Sequence, residues 1–232
     1  MVNMVRIRDI NKHLKVLPVK HSLLMSYGYR MAKTVNNVRN AFSAKKPNRG
    51  INILAIERFD DDIEAFWESA SRHYDFIVER RREYLNWRFC DKRGGDFTVK
   101  LAKEGDEILG YIVLCINRYL DGYPIGYVVD LLTLPERMDA AEALILDAVD
   151  FFDDAGVNIV IYMTARGHPY QEAFRRRGFL DSRVKIHLFY NTFGEVNELA
   201  KIGKSLPSRV FFSWGDLDEL PVRPFEYFNA VS

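Results

Sequence analysis

The sequence predicts a mixed α/β fold: one sheet, partly parallel and partly antiparallel, with helices on both faces. Three observations carry that expectation. Runs of strand length, rich in Val, Ile, Leu and aromatic residues, recur from Asn52 onward. Two of them, Phe97 to Leu101 and Ile108 to Ile116, flank a Glu104-Gly105-Asp106 turn and read as an antiparallel hairpin. Two others, Gly126 to Leu134 and Asn158 to Met163, are separated by an amphipathic helical run, which calls for a right-handed parallel crossover.

The elements follow in order. Leu24, Tyr27, Met31, Val35, Val38 and Phe42 recur at helical spacing with Arg30, Lys33 and Arg39 between them, a basic amphipathic helix. Ala44 to Gly50 reads as a linker, because Pro47 and Gly50 end the pattern. The chain thus divides into a basic helical arm with its linker, 1–50, and one α/β domain, 51–232. Asn52 to Ile56 is a short strand. Asp60 can cap a helix whose apolar face is Ile63, Phe66, Trp67, Ala70 and Tyr74. An Arg-rich second helix starts at Glu79 to Arg82 and ends near Tyr84 to Phe89. After the hairpin, Asp121 to Pro124 turns into the strand Gly126 to Leu134. The crossover helix carries Ala141, Leu144, Ile145, Ala148, Val149 and Phe152 on one side and stops at Gly156. A short helix around Gln171 to Arg177 stops at Gly178-Phe179. Val184 to Tyr190 and Val210 to Trp214 read as two closing strands.

Composition narrows the classes. A hydrophobic share of 48% with 13% aromatics fits a globular chain. No apolar run approaches the ~20 residues that span a bilayer, and no export signal is read at the start of the chain. Cys90 and Cys115 lack a metal-type spacing and read as free thiols of a cytoplasmic protein. No metal site, Gly-rich nucleotide loop or Ser/His/Asp elbow is expected. Charge is unevenly spread. Residues 1–50 hold 11 Lys and Arg against one acid, Asp9, while the remainder carries 22 basic and 31 acidic residues. A basic arm of net +10 therefore precedes a body of net −9, and it either docks on that body or meets an external anion. The runs Arg80-Arg81-Arg82 and Arg175-Arg176-Arg177 read as solvated helix faces.

Leu132-Thr133-Leu134-Pro135 stands before a helix, and Phe174-Arg175-Arg176-Arg177-Gly178-Phe179 follows the next strand. Tyr84-Leu85-Asn86-Trp87-Arg88 and Trp214-Gly215-Asp216-Leu217-Asp218 complete the set. With the order β-α-α-β-β-β-α-β-α-β-β, these pieces resemble the GNAT N-acetyltransferase superfamily over about residues 51–218. The first resembles the family's fourth strand entering its pyrophosphate loop. The second resembles the end of its fourth helix, usually Y-x-x-x-G-F. The last two resemble a branch found near polysaccharide-biosynthesis genes, in which such a domain commonly forms the second half of a longer chain. Residues 1–50 would then correspond to an interdomain connector.

The resemblance implies a GNAT acyl-CoA N-acyltransferase fold with an N-terminal basic helical arm, and acetyl-CoA as co-substrate. Two parallel strands would splay apart, and the pantetheine arm would pair with Leu132, Thr133 and Leu134. The diphosphate would sit on the helix N-terminus formed by Met138, Asp139, Ala140, Ala141, Glu142 and Ala143. Arg137 lies beside it, and Phe174 on the later helix. This chain departs from the family's Q/R-x-x-G-x-G/A at that loop. The first cation is Met138, the central glycine is Ala141, and Asp139 and Glu142 add negative charge. A frame starting at Arg137 restores the cation but places Ala140 and Glu142 at glycine positions.

Asp130 sits where many relatives carry a general base, and a buried structural aspartate is an equal reading. The family's usual acid, a tyrosine, falls at Phe174, so Tyr170, one helical turn earlier, is the candidate acid. His168 is another, set against a merely solvated loop histidine. Trp87 and Arg88 would line an acceptor cleft, with Trp87 more often a core residue. The leading expectation is an N-acetyltransferase acting on a small amine, an amino sugar by family branch. Two alternatives stand beside it: a catalytically silent binding or assembly module, and an aminoacyl transferase using charged tRNA. No recognised nucleic-acid motif is present. The apolar stripe of the arm makes a homodimer the expected assembly.

Overall fold

The computed structural model describes residues 1–16, 34, 50–118, 122–185 and 205–217. Its strands are β1 (Val2–Ile7), β2 (Asn52–Ile56), β3 (Phe97–Glu104), β4 (Glu107–Asn117), β5 (Ile125–Thr133), β6 (Ile159–Thr164) and β7 (Leu180–Lys185). Its α-helices are α1 (Ile10–Val16), α2 (Asp62–Ser71), α3 (Arg82–Leu85), α4 (Met138–Asp154) and α5 (Tyr170–Arg176). The strands form one mixed sheet in the order β2-β3-β4-β5-β6-β1-β7. β5 and β6 are the parallel pair and α4 is their crossover; the other pairings are antiparallel. The mixed sheet expected from the sequence is therefore present. Among the described residues, no helix is long and apolar enough to cross a membrane.

Burial follows position in the sheet. All nine residues of β5, Ile125–Thr133, are buried, as a strand covered on both faces requires. β2 lies at the edge, and Leu54 on it is 48% exposed. α4 presses on one face through Phe152 and Asp147, against Gly126 and Lys100. The other face holds Tyr111, Tyr127 and Asp130. Phe66 of α2 packs edge-on against Tyr111, and Trp214 against Tyr127. The hairpin turn uses Gly105 at φ +60°, a conformation a β-carbon disfavours.

The structure corrects several expectations. Val2–Ile7, assigned to the arm, is a strand inserted between β6 and β7. Its apolar residues are buried there, and Val5 pairs Ile161. Val210 to Trp214 is not a closing strand: Val210 makes one bridge to Phe76, and Trp214–Asp216 is a 3-10 turn. β1 supplies the inner closing strand instead. Glu79 to Arg81 is not helical; α3 begins at Arg82 and runs into a π-helical turn, Asn86–Cys90. Of the expected strand Val184 to Tyr190, the last part lies outside the described residues, as does the arm helix apart from Thr34.

Gly126 lets α4 approach closely, since a β-carbon there would lie 2.7 Å from the Phe152 ring. Gly126→Ala is expected to destabilise the fold by about 1–3 kcal/mol. A urea titration would show it as a lower midpoint at unchanged slope.

Candidate functional site

The site starts from one extra residue. Val113 pairs Asp130, but Leu114 pairs Val128, so Val129 is a bulge on β5. A bulge bends its strand and raises local twist. β5 stays with β6 only from Ile125↔Ile159 to Val128↔Tyr162, and no pairing follows. The two parallel strands thus diverge, as the resemblance implies. Past the divergence, the N–H of Leu131 goes to its neighbour Asp130 Oδ1 (3.2 Å), and that of Thr133 donates to the Tyr170 hydroxyl (2.9 Å).

Tyr170, at the start of α5, is buried in this opening. Its oxygen accepts from the Thr133 amide and lies 2.9 Å from Thr133 Oγ1, with the Tyr74 hydroxyl near enough to influence its titration. Burial raises its pKa, while the Thr133 and Tyr74 donors pull the other way. The phenol therefore keeps its proton at neutral pH, with two donors placed to stabilise the phenolate it would become. His168 is not the solvated loop residue weighed above. It is 4% exposed, stacked on Tyr74 and 4.5 Å from the Tyr170 ring. Burial, helped by His73, lowers its pKa to about 4. Phe174 lies deeper, fully buried and stacked on Tyr162 at 4.0 Å, at the root of the divergence.

The loop beyond β5 closes on itself. Leu132 and Thr133 are buried strand residues, and Leu134 N–H donates to Leu109 on β4. Met138 and Asp139 begin α4, while Ala140, Ala141 and Ala143 are buried against the sheet. Arg137 makes a two-pronged pair with Asp139 (3.0 and 3.1 Å) and a third contact with Glu104 (3.1 Å). Glu142 is paired with Arg176 at 2.6 Å. The carboxylates expected to repel a diphosphate are thus neutralised, and the same pairs occupy the nearby cations. A cleft of about 280 Å³ beside Leu134 is walled by Asp62, Asp106 and Glu107, which suits a cation better than an anion.

Asp130 is fully buried. Its Oδ2 accepts from the Tyr111 hydroxyl (2.8 Å) and from Arg80 Nε (3.3 Å). Neither oxygen reaches solvent. Arg80, expected on a solvated face, is 1% exposed. Its Nη2 sits 2.7 Å from Asp216 Oδ1, close but misaligned for a hydrogen bond, and its Nη1 donates to Val78 O (2.6 Å). Burial alone would lower the guanidinium's pKa; Asp130, Tyr111 and Asp216 outweigh it, so the group stays charged. Sequence reasoning missed Arg80 because it stands in a run of three arginines. The signal was two carboxylates, Asp130 and Asp216, in apolar surroundings that require a cation. Arg88 is structural too, donating to Gly215 O and Leu217 O. Trp87 is 63% exposed on the wall of a cleft of about 650 Å³ with Phe59 and Asn86.

No protein-family profile matches the chain, and no curated protein does. Several solved structures resemble its trace. An aminoglycoside acetyltransferase from an uncultured soil metagenomic sample is 18% identical, over 64% of this chain and all of that one, at a TM-score of 0.46. An integron cassette protein from the mobile metagenome of V. cholerae is 16% identical, over 68% of this chain and all of that one, also at 0.46. A ribosomal-protein-alanine N-acetyltransferase from Brucella melitensis is 14% identical, over 62% and 99%, at 0.44. These are distant likenesses, and the functional reading rests on this chain's own residues.

Two outcomes are expected. Arg80→Leu leaves two buried carboxylates without their cation and should cost about 3–5 kcal/mol in equilibrium unfolding. The unfolded His168 imidazole titrates near 6.5 and the folded one near 4, so the unfolded chain binds more protons in between. Its contribution to stability is complete above about pH 6.5 and falls away toward pH 4, by about 2–3 kcal/mol. His168→Phe should remove that part of the pH dependence in parallel denaturant titrations at pH 7 and pH 4.5.

Proposed function

We propose that this chain is a GNAT-type N-acyltransferase that transfers an acyl group, acetyl in the simplest case, from a coenzyme A thioester to a small amine. One observation carries the reading: at the mouth of the divergence, the Thr133 N–H and the protonated Tyr170 hydroxyl lie 2.9 Å apart. The amide's present acceptor is a side chain, which can turn aside where a strand carbonyl cannot. A thioester carbonyl in the opening would take that N–H, which then stabilises negative charge on the oxygen during attack.

In the reaction the amine nitrogen forms a bond to the carbonyl carbon and the carbon–sulfur bond breaks. Tyr170 gives its proton to the departing sulfur, Tyr74 and the Thr133 hydroxyl stabilise the resulting phenolate, and the proton shed by the new amide nitrogen passes through water to restore the phenol. Asp130 is a positioning residue in this reading, since both its oxygens are occupied. The acceptor, drawn as its ammonium to the acidic cleft beside Leu134, gives its extra proton to solvent and reacts as its free amine. Half-buried free Cys90 and Cys115 suit a reducing cytoplasm.

The paired Arg137 and Arg176 favour a second reading, a scaffold that binds no coenzyme. The tRNA-dependent alternative leans on the basic helix of the arm, which apart from Thr34 lies outside the described residues. Calorimetric titration with acetyl-CoA separates the first two. Binding that strengthens about threefold to tenfold in Asp139→Asn, where Arg137 keeps only its Glu104 contact, supports the transferase. No heat with either folded protein supports the scaffold. With turnover in hand, Tyr170→Phe is expected to lower kcat about 10²-fold or more with little change in KM. The rate of the parent should rise with pH along the acceptor amine's own titration, and Asp130→Asn should leave that profile in place.

A further inference from the structure

The cleft at Trp87 belongs to neither the divergence of β5 and β6 nor the loop before α4. Its indole is 63% exposed, whereas Trp67 and Trp214 are 7% and 3% exposed. The ring is held out rather than loose. It stands on the π-helical turn Asn86–Cys90, a geometry often met at functional sites. Asn86 fixes one side of that turn, accepting from Phe59 N–H (2.8 Å) and donating to Phe59 O (3.0 Å). Arg88 fixes the other by its bonds to Gly215 O and Leu217 O, and the Tyr84 ring braces the indole at 5.9 Å. A large apolar face is thus preorganised toward a cleft of about 650 Å³.

Charge says what the cleft would hold. Arg82 on its wall is paired with Asp61, and Asp91 with Arg93. Among the described residues, Asp60, Glu83 and Arg58 make no ion pair, which leaves one net negative charge around the indole. A carboxylate beside an aromatic face selects an ammonium, and the flat indole selects a ring whose C–H face can lie on it. Arg58, on the same wall, can donate to the hydroxyls of such a ring.

We propose that this cleft is a binding site for a ring-bearing cation, a saturated sugar-like ring carrying an ammonium group, with Trp87 as its platform and Glu83 and Asp60 as its counter-charges. The site does not depend on acyl transfer. The test uses the β-1,4-linked glucosamine disaccharide as probe, with its di-N-acetyl form as the uncharged ring and putrescine as the ringless cation. Because Trp87 is the one exposed indole among the three, iodide quenching of tryptophan fluorescence reports on it selectively. Glucosamine disaccharide is expected to shield Trp87 from iodide and to give saturable calorimetric binding, with both controls at least about tenfold weaker. Trp87→Ala should abolish that binding, and Glu83→Gln should weaken it about fivefold, with circular dichroism unchanged in both. No shielding, equal affinity for the three probes, or full affinity retained in Trp87→Ala would overturn the assignment. Either result leaves the acetyl-CoA titration to be judged on its own.

Discussion

The structure turns on a single extra residue in its central strand. With Val129 bulged, the strand can no longer follow its parallel neighbour, and backbone groups at its end must find other partners. The same step changes facing. Side chains alternate along a regular strand, so Tyr127 and Asp130 would point to opposite faces without it. With it, both face α2, which puts Tyr127 under Trp214 and Asp130 beside Arg80. The opening and the ion cluster below it are therefore two results of one irregularity.

That cluster explains how three distant stretches hold together. The extended chain at 75–81, the central strand and the turn at 213–216 meet at one guanidinium. Arg80 donates to Val78 and pairs with two carboxylates, and the Asp216 carboxylate in turn caps Ser213 N–H at 2.9 Å. A lysine would supply the charge but not the forked geometry that reaches two separated acids at once. The π-helical turn is joined to the same region through Arg88 and Gly215. A β-carbon on Gly215 would lie 2.9 Å from Phe89, so the two turns are in close contact.

Much of the fold was legible because its signals are local. The period of α4, its stop at Gly156, the hairpin at Gly105 and the apolar run of β5 each declare themselves within a short window. Apolar character alone did not place Val2–Ile7, whose partners lie far along the chain. Nor did it separate Val210 to Trp214 from a strand, though those aromatic residues cover a face instead of extending it. At the candidate site the sequence named Thr133 and Tyr170 separately, one through the resemblance and one as a substitute a helical turn before Phe174, and did not show that they touch. Arg80 was misplaced, and for Trp87 the cleft reading held over the more common core one, for a shared reason: residue type predicts average burial, and here the average fails where a charge is paired inside and an indole is braced outside.

The placement of β1 has a consequence for how the chain is made. Val2–Ile7 is synthesised well before both its neighbours, β6 and β7, which come from far later in the sequence. Its register with Ile159–Thr164 spans most of the chain, so this part of the sheet is strongly non-local and its closure is a late event. Until then an apolar strand waits without a partner, the situation in which nascent chains meet chaperones or one another. Once seated, it anchors the segment that follows at the sixth position of the sheet, while β2 anchors the far end at the first edge. The two strands on either side of the basic stretch are thus held at the sixth and first positions of one sheet, about 24 Å of strands apart.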